Sequence, residues 1–124
     1  MCIRDSIYSV AWKTTSDAYT PMRPLVMDFR TDQRAENIGD QFLFGPSILV
    51  SPVTEPAATT RHLYLPKAQW YDFWTGKLME GGKTVDAPVT LDRIPLYVRA
   101  GSCLLYTSHH AKLILNHRVD IAFT

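Results

Sequence analysis

The sequence predicts a mainly β chain that opens with a helix and one strand, and three observations carry that expectation. From residue 61 onward, short runs alternate apolar and polar side chains and recur at roughly 8–12-residue intervals with turn residues between them, as antiparallel sheets require. Eight prolines and six glycines interrupt the chain and exclude a long helical bundle. Residues 7–16 carry apolar side chains at helical spacing instead.

The helix rests on Ile7, Val10 and Ala11, which follow the i, i+3, i+4 pattern, and on a second i, i+4 pair, Tyr8 and Trp12. It is expected from Asp5 to Ser16, loosening before Pro21. Two apolar faces on one short helix call for burial against a larger body than this chain supplies. Residues 22–29 are short, mostly apolar and bounded by turn signals, which predicts a buried strand. Pro24 removes one ladder donor and points to an irregular start or an edge. Arg23 and Asp28 are the charged exceptions, and buried charges need partners. Two roles fit them: a structural ion pair or backbone-bonded role, and direct contact with a substrate.

Residues 31–40 are polar, with room for one helical turn, and the boundary between the helix–strand segment and the β segment is expected there. Residues 41–44 lead to Gly45-Pro46, and residues 47–53 form a second apolar run of strand length, closed by Pro52. Residues 55–60 have loop composition. The run from Arg61 to Pro66 sets His62, Tyr64 and Pro66 on one strand face and Leu63 and Leu65 on the other. In the next run Trp70, Asp72 and Trp74 alternate with Tyr71 and Phe73. Thr75-Gly76-Lys77 is a hairpin turn, residues 77–80 the return strand, and Gly81-Gly82 its end. Residues 83–86, 89–92 and 95–99 are further expected strands.

Composition bounds the function. The 124 residues fit one small domain or pieces of two, and 46% hydrophobic content with 20% charged residues is ordinary for a folded chain. A formal net charge of +1 supplies no basic face for neutralising phosphates, so no nucleic-acid partner is expected. No apolar run approaches the ~20 residues that cross a bilayer, and residues 1–6 lack the apolar core of a secretion signal. Cys2 and Cys103 form no Cys-x-x-Cys motif and no disulfide framework.

Asp28, Asp32, Glu36 and Asp40 are close in sequence, but none sits in a context that raises a carboxyl pKa, so cap, turn and surface roles are expected instead of a glycosidase pair. His109, His110 and His117 match no standard zinc spacing, and His62 stands alone on a strand. Ser47 and Ser51 lack a Gly-x-Ser-x-Gly turn, Cys103 lacks a base, and Gly81-Gly82 is no phosphate loop. The aromatic run Trp70-Tyr71-Asp72-Phe73-Trp74 is the most distinctive feature. Flat rings stack on sugar faces; alternate rings also bury between two layers. Core packing is the expectation, and a sugar platform built from Trp70, Tyr71 and Trp74 is the rival.

Six runs occur in order: Pro21-Met-Arg-Pro-Leu-Val-Met-Asp-Phe29, Gln41-Phe-Leu-Phe-Gly45, Ile48-Leu-Val-Ser-Pro-Val53, Tyr64-Leu-Pro66, Trp70-Tyr-Asp-Phe-Trp-Thr-Gly76 and Ile94-Pro-Leu-Tyr-Val-Arg-Ala-Gly-Ser102. Jointly they resemble glycoside hydrolase family 31, the α-glucosidases and α-xylosidases. The resemblance covers residues 7–102. It implies a fragment: the last helix and strand of a (β/α)8 catalytic barrel over residues 7–31, then a small antiparallel β-sandwich, the proximal C-terminal domain, over residues 32–102. The family's nucleophile is an aspartate in a Trp-x-Asp-Met-Asn type of motif and its acid/base an aspartate in a Gly-Asp motif. Both lie upstream of the resembling region, and neither motif occurs here. The resemblance therefore assigns no catalytic, cofactor or metal residue to this chain. It implies an oligosaccharide substrate for a full-length parent, inactivity for the fragment alone, and self-association through apolar faces that have lost their neighbours. Residues 1–6 and 103–124 depart from the family pattern. They resemble runs found at the ends of proteins predicted from assembled reads, and are expected to be foreign to the gene, the tail poorly ordered or adventitious.

Overall fold

The computed structural model describes residues 2–102, with side chains from residue 7 onward. The expectations placed on Cys103, His109, His110, His117 and the 103–124 tail lie outside the described residues, as does the side chain of Cys2.

Helix α1 (Cys2–Ser16) begins three residues before the expected Asp5. It closes with Asp17 and Tyr19 amides donating to the Lys13 carbonyl, across Ala18 at φ 51°. Within residues 7–16 every side chain except Val10 is exposed. Val10 approaches the chain at Gly45, where its Cγ2 stands 3.5 Å from the position a Cβ would occupy.

The expected strand over residues 22–29 is corrected. Only Met22–Pro24 is strand (β1), and Leu25–Asp28 turns into a short helix (α2). The reason lies in which side chains the run buries. Leu25 and Phe29 are the buried residues, four apart, which is helical spacing, while Val26 and Met27 face out. Pro24 stands as the N-cap residue, where its missing N–H costs nothing. The polar segment that follows holds the single expected turn of helix, α3 (Gln33–Glu36), capped by Asp32, whose side chain accepts from the Arg34 amide.

Seven more strands follow: β2 (Phe42–Phe44), β3 (Ile48–Val50), β4 (Thr60–Leu65), β5 (Gln69–Asp72), β6 (Leu78–Glu80), β7 (Lys83–Pro88) and β8 (Leu96–Arg99). Six form one antiparallel sheet in the order β1-β2-β3-β8-β5-β6, and β4 pairs antiparallel with β7 in a second. The strand expected at residues 89–92 is corrected to a turn. An isolated Thr90–Arg93 bridge is its only ladder contact, and Leu91 projects fully into solvent. The Arg93 amide turns back to the Thr90 carbonyl at 3.4 Å, closing a four-residue turn where the strand was expected.

The register sorts the large sheet into two faces. Leu43, Leu49, Tyr97 and Trp70 point inward and meet Leu63, Leu65, Val85 and Ala87 of the small sheet in one apolar cluster, joined by Leu25 and Phe29. The chain crosses between the sheets four times, and two of these crossings, along residues 66–68 and through Gly81-Gly82, adjoin. The two crossings are tied by Gly81 N–H to the Ala68 carbonyl and Gly82 N–H to the Leu65 carbonyl, both 2.7 Å. A Cβ on Gly81 would lie 1.8 Å from the Pro66 carbonyl oxygen, so only glycine fits this close approach. Among the described residues no helix is long and apolar enough to cross a membrane.

Candidate functional site

The aromatic run divides among three environments. Trp70 is fully buried. Its indole N–H donates to the Pro66 carbonyl at 2.9 Å, and its ring lies 6.0 Å from that of Phe29. Tyr71, the next residue along the strand, is buried on the opposite face. The strand alternation then stops at Asp72, because its carboxylate accepts from the Trp74 and Thr75 amides at 2.8 and 2.9 Å and turns the chain. Phe73 and Trp74 stand edge to face at 87°, 5.2 Å apart. The Trp74 indole donates to the Ile94 carbonyl at 2.8 Å, with the Arg93 guanidinium 5.3 Å over its ring. The sugar platform of Trp70, Tyr71 and Trp74 is therefore overturned: two of the three rings are buried, on opposite faces, and the third already has a cation over its ring. The packing expectation holds for Trp70.

Trp74 borders a cleft of about 550 Å³ between three loops. Val53, Ala58, Val89, Ile94 and Leu96 make its wall largely apolar, with Glu55, Asp92 and Arg93 also on the lining. Asp92 is held below the usual carboxylate range by the Thr90 hydroxyl and its own backbone amide, so it serves the turn.

The acidic quartet is dispersed into structural pairs. Asp28 takes a forked ion pair from Arg23, Nε to Oδ2 at 2.8 Å and Nη2 to Oδ1 at 3.3 Å, which raises the guanidinium pKa. This is the structural role expected of Arg23 and Asp28, and the Tyr19 ring adds a cation–π contact at 5.0 Å. Asp32 caps α3 and accepts the Tyr64 hydroxyl at 2.7 Å. Burial raises the Asp32 pKa, but the Tyr64 hydroxyl and the Arg34 and Lys67 amides outweigh it and hold the carboxyl below its ordinary value. The same burial and the Asp32 carboxylate push the Tyr64 phenol up to about 12. Asp40 pairs with Arg61, and Glu36 is exposed on α3.

Gln41 clamps Tyr64 from the other side. Its Nε2 donates to the Tyr64 carbonyl and its Oε1 accepts the Tyr64 amide, each at 2.9 Å, replacing a strand neighbour that β4 lacks there. This Asp32–Tyr64–Gln41 network was missed in the sequence; a lone Gln heading an apolar run was its one signal. His62 is exposed, its Nδ1 2.5 Å from Asp86 across the β4–β7 ladder. Ser47 and Ser51 are buried, neither bonded to a base, and the Ser51 hydroxyl has no partner among the described residues. No cluster of metal-ligating side chains occurs among the described residues.

The description of the matching family model is the C-terminal domain of glycosyl hydrolase family 31, and it matches residues 18–104. The chain belongs to glycoside hydrolase family 31. An α-xylosidase of Saccharolobus solfataricus is 58% identical over 99 residues, 79% of this chain but 14% of that protein. Alpha-glucosidase 2 of Bacillus thermoamyloliquefaciens is 36% identical over 83 residues, 67% of this chain and 10% of its own length. Among solved structures, a family 31 α-xylosidase from Xanthomonas citri superposes with a TM-score of 0.76 at 47% identity, covering 78% of this chain and 11% of that one. The chain thus spans about a tenth to a seventh of these three relatives. The observed antiparallel β architecture is that of a family 31 C-terminal β domain.

Proposed function

We propose that this chain is a segment of a retaining α-glycosidase that removes terminal α-linked xylose or glucose, and that its own role is structural. The observation that carries the reading is the coverage: 79% of the chain aligns at 58% identity with 14% of an α-xylosidase. The higher identity to that relative than to the α-glucosidases favours xylose of the two sugars. Retaining hydrolysis needs two carboxyl groups about 5 Å apart on the scissile bond. Asp28, Asp32 and Asp40 are each committed to a different partner, which agrees with catalytic acids supplied by other parts of a parent.

On this reading helix α1 belongs to the end of a catalytic barrel, whereas β1, paired antiparallel with β2 in the large sheet, goes with the adjoining β-domain, in keeping with the family model's start at residue 18. The bare apolar residues of the helix support it: Tyr8 is 77% and Trp12 62% exposed. The purified chain is expected to release no nitrophenol from p-nitrophenyl α-xyloside or α-glucoside, and to sediment as an associated species. Turnover by the chain alone would overturn the structural role.

A further inference from the structure

We draw no further inference here: the strongest candidate, the largely apolar cleft of about 550 Å³ that Trp74 borders between the loops at residues 53–58 and 89–94, carries nothing because nothing in the structure shows what covers it.

Discussion

Helix α1 and the β4–β7 ladder are both regular along their length, yet one is held by the fold and the other is not. The ladder runs through six residue pairs and sends Leu63, Leu65, Val85 and Ala87 into the core. Helix α1 has 15 residues, and among its described side chains only Val10 is not exposed. Local hydrogen bonding supports both elements, but in proteins most helical stability comes from packing an apolar face. The contrast teaches that secondary structure reports sequence locally, whereas burial reports whether the neighbours an element was shaped for are present.

The contrast breaks most sharply in the core. Trp70→Ala removes a fully buried ring and should cost about 3–5 kcal/mol in urea unfolding. Gly81→Ala places a methyl against two backbone carbonyls at the crossing and should cost about 3 kcal/mol. Tyr64→Phe removes a hydrogen bond to a charged acceptor and should cost about 1.5–3 kcal/mol, read the same way. If any of these leaves the midpoint unchanged, the core is not where the register puts it.

The pH dependence sharpens the same point. Tyr64 and Tyr97 each have a phenol pKa raised from 10.0 to about 12, chiefly by burial. The neutral phenol is the form the fold favours, so their contribution is complete below pH 10 and is lost as pH rises from about 10 to 12. Asp32 runs the other way: its carboxyl is held below 3.8, so its contribution exists above that pH and is lost on further acidification. Thermal melts across both windows should fall at each end, and Tyr64→Phe should flatten part of the alkaline loss. The smallest effect belongs to the helix. Trp12→Ser on exposed α1 should move the unfolding free energy of the free chain by less than about 0.5 kcal/mol. A larger loss would show that α1 is packed after all.

Much of the β region was legible because alternation is a direct image of the pleat. Leu63 and Leu65 against His62 gave β4 its inward side, and Thr75-Gly76-Lys77 gave the hairpin. The 22–29 run was misread because a short apolar stretch does not distinguish strand from helix; the spacing of Leu25 and Phe29 decided it only once burial was known. Residues 89–92 failed for another reason: the Arg93 amide turns back to the Thr90 carbonyl, and alternation carries no trace of that. The Asp32–Tyr64 hydrogen bond joins residues 32 positions apart, a distance no sequence window spans.

Strand β8, last among the described strands, lies between β3 and β5. Until it arrives, the β1-β2-β3 meander and the β5-β6 hairpin are separate pieces with unpaired inner edges. A ribosome emitting this segment therefore holds two open sheet fragments, and closure waits for Leu96–Arg99 to leave the exit tunnel. A stop codon shortly before that point would leave a product with exposed strand edges, the kind that templates aggregation and is cleared by proteases.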